Sequence, residues 1–230
     1  IYFGNQEVGI QEAMRWEQDL IRDIRSNDQR DDLDFDWSNT LFSDLPKYNV
    51  TVRDIQGTDF SLEDRTSLLE VINRMKDREQ LKCIVESGVE NNLQGLTSTS
   101  VFLNNKPDDC VYLGVDLRDL KHLDDPAKNI YTVATPSQSY PAIHHILDKL
   151  GVDKIDILFI DGWHSINQLL YDWEYTSRVA DHGIVGFHDT AYHPGPYYFV
   201  NNLNTQKWNV IPNAATSQND WGIGWAWKKQ

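Results

Sequence analysis

The stretch IDILFIDGWH, residues 155–164, decides the fold. Its first six residues form a short and mostly apolar run, which is typical of a β-strand buried on both faces. The run is followed at once by an acid, an aromatic residue and a histidine. Ligands of open α/β sheets bind at the carboxyl ends of the strands. The stretch therefore predicts a central strand over residues 155–161 that brings Asp161, Trp163 and His164 to a functional site.

Other short apolar runs have the same character and predict strands at residues 83–86, 111–116, 130–133 and 183–188. Amphipathic stretches between the runs predict helices at residues 97–103, 140–150 and 166–179. A β-α-β-α alternation of this kind predicts a parallel sheet with helices on both faces.

The end of the chain departs from this alternation. A predicted helix at residues 197–203 is followed by two predicted strands, at residues 208–211 and 222–227. No helix lies between these two strands, so we expect them to pair in the antiparallel direction.

The first 80 residues also lack the alternation. Residues 8–24 have the apolar spacing of a helix, and Ser61, followed by acids, predicts the start of another. We therefore divide the chain into an N-terminal acidic extension, helical and irregular, over residues 1–80, and an α/β domain over residues 81–230. The extension is predicted to act as a lid over the active site.

Charge excludes some partners. The net charge is −14, and residues 1–60 hold 13 acidic against 6 basic side chains. A nucleic acid or an anionic membrane surface would be repelled, so we expect a small-molecule partner. The sequence allows a homo-oligomer and does not specify one.

Two cysteines and the absence of a long apolar run favour a cytoplasmic protein. Cys83 and Cys110 each begin or precede a predicted strand. Buried free thiols are the expected state, and a bridge between neighbouring strands is the alternative.

Polar residues follow each predicted strand. Gly88 would let the backbone turn sharply and let a ligand approach, and Thr97 would cap the next helix. Asp116 could accept hydrogen bonds from the hydroxyls of a ribose. Ser137 and Gln138 could contact the edge of a base. On the residues alone, an ordinary turn, helix cap or loop acid remains an alternative at each position.

Two carboxylates, Asp161 and Asp189, end adjacent strands of this plan. Converging carboxylates repel each other unless a cation or protons intervene, and Mg²⁺ is the divalent ion that carboxylates suit. His164 could act as a general base. The alternatives are a salt bridge and a loop cap for the two acids, and a helix cap for His164.

Three stretches carry a resemblance to a known family: ESGV at residues 86–89, ILFIDGWH at residues 157–164 and GIVGFHDT at residues 183–190. Together they resemble the class I S-adenosylmethionine-dependent methyltransferases. The resemblance is greatest to the group that contains the macrocin and mycinamicin sugar O-methyltransferases and the cephalosporin hydroxylase-like proteins. Ser137-Gln138 and the paired strand-end acids also resemble catechol O-methyltransferase.

The resemblance implies a fold and an activity. The fold is α/β, with a Rossmann-like, mostly parallel, seven-stranded sheet, helices on both faces, an antiparallel C-terminal hairpin and an N-terminal helical lid. The activity is transfer of a methyl group from S-adenosylmethionine to a small-molecule hydroxyl of a sugar, polyol or phenol.

The resemblance also implies roles for matching residues. Those implied to bind S-adenosylmethionine are Glu86, Gly88, Gly95, Thr97, Asp116, Leu117, Ser137, Gln138, Asp161 and Trp163. Mg²⁺ would be bound by Asp161 and Asp189, with His188 at a position where relatives often have an acid. Imidazole favours softer ions than Mg²⁺. The implied catalytic residues are His164, as the base, and Asp161.

Two alternatives stay open. The loop at residues 89–94 holds Glu90, Asn91 and Asn92 in place of compact glycine-rich residues. One alternative is therefore a catalytically inactive interaction module that binds S-adenosylmethionine. A nicotinamide-dependent Rossmann oxidoreductase is the less favoured alternative, because no G-x-G-x-x-G follows the first strand.

Overall fold

The computed structural model describes residues 34–35, 60–90, 97–137, 139–164, 166–191, 193–214 and 221–230. The helix predicted at residues 8–24, most of the predicted lid, Gly95, Gln138 and residues 91–94 of the unusual loop lie outside the described residues.

Seven strands form one mixed sheet in the order β3-β2-β1-β4-β5-β7-β6. Their bounds are β1 Cys83–Ser87, β2 Val111–Asp116, β3 Ile130–Ala134, β4 Ile155–Ile160, β5 Val179–His188, β6 Trp208–Ile211 and β7 Ile223–Lys228. Strands β1 to β5 pair in parallel, whereas β7 pairs antiparallel to both β5 and β6. The predicted Rossmann-like sheet with an antiparallel C-terminal pair is confirmed.

Five α-helices cover the two faces of this sheet in the described chain. They are α1 Leu62–Asp77, α2 Ser98–Asn105, α3 Tyr140–Lys149, α4 Ile166–Trp173 and α5 Pro194–Asn201. Ser61 caps α1 in a reciprocal capping box with Asp64, as the sequence predicts for this helix start. The helix predicted at residues 197–203 begins earlier, because Pro194 takes the first helical turn, where its fixed φ is favourable.

The helix predicted over residues 166–179 is wrong in its second half. The α-helix ends at Trp173, a 3₁₀ helix spans Glu174–Arg178, and β5 begins at Val179. Thr176 donates its hydroxyl to the Trp173 carbonyl at 2.6 Å, and Ser177 donates to the Glu174 carbonyl at 2.8 Å. Side-chain bonds of this kind compete with regular helical bonding.

Strand alternation builds a core on each face. Val85 and Leu158 contribute to one core, packed under α3, α4 and α5. Ile84 and Phe159 contribute to the other, packed under α1 and α2. Helix α1 buries Leu68, Ile72 and Met75 in this second core, so a domain boundary at residue 80 would divide a packed unit. Helix α1 therefore packs as part of the α/β core.

A short N-terminal segment, residues 34–35, lies against the α3–α5 face. Phe35 pairs with Leu203 in an isolated bridge, and its ring packs edge-on to Trp173 and Phe199. The Asp34 carboxylate accepts hydrogen bonds from the indole N–H groups of Trp173 and Trp208, each at 3.2 Å. The segment is thus held by both apolar and polar contacts.

Replacing Phe35 with alanine should lower the free energy of unfolding by about 3 kcal/mol, because it removes a ring buried among aromatic neighbours. Urea unfolding followed by tryptophan fluorescence measures this. Tyr171→Ala on α4 is the matched control: its ring is 49% exposed, and we expect a change below about 0.5 kcal/mol. Equal effects of the two changes would contradict a structural role for Phe35.

Cys83 and Cys110 are buried free thiols, as expected from the sequence. None of the helices within the described ranges combines the length and apolar character that crossing a membrane requires.

Candidate functional site: a cavity at the carboxyl ends of the strands

A cavity of about 1030 Å³ opens at the carboxyl ends of β1, β2, β4 and β5. Ten of the residues singled out in the sequence line it: Gly88, Thr97, Asp116, Leu117, Ser137, Asp161, Trp163, His164, His188 and Asp189. The parallel strands bring these residues together because their carboxyl ends meet at one edge of the sheet.

Gly88 stands where β1 and β4 separate. Its φ is +84°, and a Cβ atom there would lie 2.0 Å from the Asp161 carbonyl oxygen. Its N–H donates to the Val115 carbonyl at 2.9 Å, and the Asp161 N–H donates to the Ser87 carbonyl at 2.7 Å. A side chain at this position is excluded by both backbone conformation and space, so the cavity floor is bare backbone.

The Asp116 carboxylate already has several donors. Arg118 contacts both of its oxygens at 2.9 Å, and the Val89 N–H donates to Oδ2 at 3.0 Å. Burial acts to raise the pKa of Asp116, but the hydrogen bonds from Arg118 and Val89 outweigh it and lower that pKa. Asp116 is therefore an ionised acceptor at the cavity wall.

Glu86 lies behind the wall rather than in it. Its fully buried carboxyl group accepts hydrogen bonds from Ser98 at 2.5 Å, from Thr99 at 2.9 Å and from the Tyr112 hydroxyl. These bonds tie the end of β1 to the first turn of α2. The Glu86 carboxyl group therefore does not line the cavity itself; it supports Ser98, which does.

Burial raises the pKa of Glu86 to about 7, although the hydrogen bonds from Ser98, Tyr112 and Thr99 oppose the rise. The folded protein therefore holds a proton on Glu86 that the unfolded chain loses above about pH 4.5. Between these values the folded state binds more protons, so the Glu86 contribution to stability falls as the pH rises.

The change Glu86→Gln should remove this dependence of the free energy of unfolding on pH. We expect the stability of wild type relative to Glu86→Gln to fall by about 3 kcal/mol between pH 4.5 and pH 7, and to stay level above that range. Urea unfolding of both proteins across the pH series measures the difference, and other titrating groups cancel in the comparison. A constant difference would contradict a proton on Glu86.

The predicted metal residues Asp161, His188 and Asp189 do come together. His188 Nδ1 lies 3.2 Å from Asp161 Oδ1 and 3.3 Å from Asp189 Oδ1, and its Nε2 lies 3.7 Å from Asp64 Oδ2. Burial acts to lower the pKa of His188, but Asp161 and Asp189 outweigh it and raise that pKa well above its usual value. The imidazolium therefore supplies the positive charge between the carboxylates.

These surroundings shift the pKa values of Asp161 and Asp189 in opposite directions. Burial raises the pKa of Asp161, with His188 opposing the rise. Burial also acts to raise the pKa of Asp189, but His188 and His164 outweigh it and hold that pKa well below its usual range. Asp189 also has a backbone φ of +61°, which residues other than glycine rarely adopt. Such conformations cluster at functional sites.

Two further imidazoles lie at the other oxygen of Asp189. His164 Nε2 is 2.7 Å from Asp189 Oδ2, and His193 Nε2 is 3.9 Å from the same oxygen. The rings of His164 and His193 stack with centroids 3.9 Å apart and planes 12° apart. Burial and the neighbouring His164 hold the pKa of His193 well below its usual value.

The wall beyond β3 is polar. Gln168 donates its amide N–H groups to Ser137 Oγ at 2.6 Å and to Asp172 Oδ1 at 3.1 Å. The Tyr175 hydroxyl donates to the Ser137 carbonyl at 2.8 Å. Burial raises the pKa of Asp172 to about 6, against hydrogen bonds from Ser137, Gln168 and Ser87. Ser137 is thereby fixed at the cavity edge.

Sequence reasoning missed several residues of the site: Ser87, Ser98, Arg118, Gln168 and His193, with Asp64 behind them. His193 had a usable signal, since four of the chain's seven histidines fall within residues 164–193. Ser98 belongs to a run of hydroxyl residues, 97–100, at the start of α2 and next to the singled-out Thr97. Gln168 and Asp64 depend on contacts between distant segments and had no local signal. Arg118 contacts Asp116, two residues away, and also reaches the Val89 carbonyl from a distant segment.

Comparison with known proteins supports the fold. No protein-family model and no curated protein matches the chain. Among solved structures, CalS11, a calicheamicin methyltransferase, is 11% identical, with a TM-score of 0.51 over 98% of this chain and 93% of its own. A candidate rRNA methylase from Clostridium thermocellum is 12% identical, with a TM-score of 0.50 over 71% and 96%.

The MycE methyltransferase of the mycinamycin biosynthetic pathway, solved with Mg, SAH and mycinamycin VI, is 15% identical, with a TM-score of 0.49. The match covers 69% of this chain and 48% of the MycE chain, so the chain spans about half the length of that protein. At such identities a likeness shows architecture, and function must be argued from the site. The chain has the Rossmann-like fold of the methyltransferases.

Proposed function

We propose that the chain binds S-adenosylmethionine in this cavity and transfers its methyl group to a hydroxyl of a small molecule, with sugars, polyols and phenols as the acceptor classes. The observation that carries the proposal is the convergence of Gly88, Asp116 and Trp163 from three adjacent strands on one cavity. The resemblance to macrocin-type and catechol O-methyltransferases supports the same assignment.

The residues fit an adenosyl ligand. Leu117 is 76% exposed and Trp163 is 61% exposed, although both are large and apolar, so each offers a surface on which a flat base could pack. Asp116 would accept from ribose hydroxyls, and Ser137 would contact the base edge. Thr97 and Ser98, at the start of α2, would bind the methionine carboxylate, because a helix N-terminus favours an anion.

Bound S-adenosylmethionine supplies an electrophilic methyl group on a sulfonium. The chain's own contribution is to orient the acceptor and take its proton. His164 is the proposed base, since it lines the cavity and its Nε2 lies 2.7 Å from the Asp189 carboxylate. Asp161 would help to position the acceptor hydroxyl.

The donor set at Asp161 and Asp189 does not suit Mg²⁺. His188 Nδ1 lies 3.2 and 3.3 Å from the two carboxylate oxygens, so an imidazole nitrogen occupies the space between them. Mg²⁺ prefers oxygen ligands and water in octahedral geometry. No step of the proposed reaction is assigned to Mg²⁺.

A nicotinamide cofactor fits less well than an adenosyl sulfonium. The nicotinamide-binding arrangement continues its sheet with a parallel strand, whereas β7 here pairs antiparallel to β5. The net charge of −14 opposes an RNA substrate, although a candidate rRNA methylase shares the fold.

Calorimetry with S-adenosylhomocysteine tests the proposed function. We expect one binding site per chain and at least a tenfold loss of affinity on Asp116→Asn, because a charged hydrogen-bond acceptor is lost. Asp119→Asn, at an exposed acid nearby, is the matched control and should bind as wild type does. No heat with this nucleoside, or an unchanged affinity for Asp116→Asn, would refute the assignment.

Turnover then tests the base. In a panel of sugars, polyols and phenols, His164→Ala should lower the rate of methyl transfer by about 100-fold or more with the acceptor that wild type uses. Its affinity for S-adenosylhomocysteine should change little. An unchanged rate would show that His164 does not take the proton.

A further inference from the structure

His164, Asp189 and His193 form a second cluster on the side of Asp189 away from His188. Asp189 Oδ1 faces His188, whereas Oδ2 lies 2.7 Å from His164 Nε2 and 3.9 Å from His193 Nε2. The ligand atoms that the three side chains offer all lie within 4.8 Å of one another. The two oxygens of the Asp189 carboxylate therefore face different neighbours, and Oδ2 can bind a ligand without displacing His188.

The backbone holds this cluster in place. The His193 N–H donates to the Asp189 carbonyl at 2.9 Å, which closes a turn and returns the His193 ring to the Asp189 side chain. The Ala191 N–H donates to the Trp221 carbonyl at 2.8 Å and anchors the same turn. Asp189 and His193 are buried, whereas the His164 side chain is 31% exposed and lines the cavity. The backbone therefore fixes Asp189 and His193, and His164 is accessible to solute; the two stacked rings must rotate out of parallel for both to bind one ion.

Two imidazole nitrogens and one carboxylate oxygen favour particular ions. Imidazole suits Fe²⁺, Co²⁺, Ni²⁺ and Zn²⁺, whereas Mg²⁺ and Ca²⁺ prefer oxygen ligands throughout. A set of two histidines and one carboxylate leaves coordination positions open for water or a substrate oxygen.

We propose that His164, Asp189 and His193 bind a divalent transition-metal ion at the edge of the cavity. This set differs from the predicted set of Asp161, His188 and Asp189, and it has a different ion preference. Metal binding does not depend on the proposed function. The further role, in which the ion binds and acidifies the acceptor hydroxyl, does rest on it, and in that state His164 is a ligand rather than the base.

Co²⁺ is the probe that tests the site. The full chain, stripped with a chelator and held without nucleoside, is titrated with Co²⁺ and followed by the visible d–d absorption of the bound ion. We expect one Co²⁺ per chain, displacement by Zn²⁺ and no displacement by Mg²⁺ in large excess. His164→Ala and His193→Ala should each weaken Co²⁺ binding by more than about 100-fold. This exceeds the loss of affinity that follows when a residue hydrogen-bonded to a ligand is replaced.

Two variants serve as controls. His145→Ala, at an exposed histidine of α3, should bind Co²⁺ as wild type does. Asp161→Asn should also retain binding, because Asp161 belongs to the other set. Unchanged Co²⁺ affinity in His193→Ala, or a loss caused by Asp161→Asn and not by His193→Ala, would overturn the proposed site.

Two measurements guard against misfolding and against confusion with the proposed function. If His193→Ala fails to fold, His193→Gln replaces it in the titration. Independently, the anomalous scattering of Co²⁺ in wild-type crystals locates the ion, and a peak away from His164 and His193 refutes the site. Calorimetry with S-adenosylhomocysteine in chelator is independent of the ion. If the wild-type chain binds Co²⁺ but not S-adenosylhomocysteine, the proposed function is refuted and the proposed metal site is retained.

Discussion

Gly88→Ala will lower the free energy of unfolding by about 3 kcal/mol and abolish binding of S-adenosylhomocysteine. Two costs combine: a φ of +84° costs a side-chain-bearing residue about 1–2 kcal/mol, and the new Cβ overlaps the Asp161 carbonyl oxygen 2.0 Å away. Relief of the overlap must separate the ends of β1 and β4, which form the floor of the cavity. Urea unfolding and calorimetry measure the two effects.

Gly151→Ala separates the two costs. Gly151 also has a positive φ, +72°, but an added Cβ would meet nothing within 4 Å. We expect this change to cost about 1 kcal/mol and to leave nucleoside binding unaffected. Equal destabilisation by Gly88→Ala and Gly151→Ala would show that the close approach at Gly88 is not a constraint.

His188→Gln will destabilise the protein by about 3 kcal/mol or more at neutral pH. The change removes the cation that lies between Asp161 and Asp189 and near Asp64, and breaking a buried pair leaves charge uncompensated. The raised pKa of His188 means that its stabilising charge is present at low pH and is lost as the pH rises through that pKa. The deficit of the variant should shrink toward about pH 4, where the carboxylates take up protons.

A double-mutant cycle makes this prediction specific. Asp161→Asn should destabilise wild type, since the Asp161–His188 hydrogen bond loses its charge, but it should stabilise the His188→Gln protein by removing a repelling carboxylate. A reversal of sign between the two backgrounds is the expected result. The same sign in both would show that His188 is not the compensating cation.

Much of the fold could be predicted because its signals are local. Strands buried on both faces are apolar throughout, as at residues 157–160, and the strand-end residues that line the cavity follow from the parallel topology. The end of α4 could not be predicted, because apolar spacing continues past Trp173 while the hydroxyls of Thr176 and Ser177 bind the backbone.

The candidate site was less predictable than the fold. The burial of Glu86 depends on Tyr112, which comes from the neighbouring strand, and the charge of His188 depends on two strands and on Asp64 from α1. Arg118 reaches Asp116 through a turn whose geometry has no sequence signature. The contacts of Glu86 and His188 join segments far apart in the chain. Together with the Arg118–Asp116 contact, they decide protonation states that residue types alone leave open.

The position of β7 has a consequence for protein synthesis. Strand β7 lies between β5 and β6, and within the described ranges each of these two strands pairs with β7 alone on that side of the sheet. Until residues 223–228 have left the ribosome, β5 has one bare edge and β6 lacks its partner strand in the sheet. Emergence of residues 223–228 completes both pairings at once, so a nascent chain halted before that point would expose an apolar strand edge open to chaperones or to aggregation.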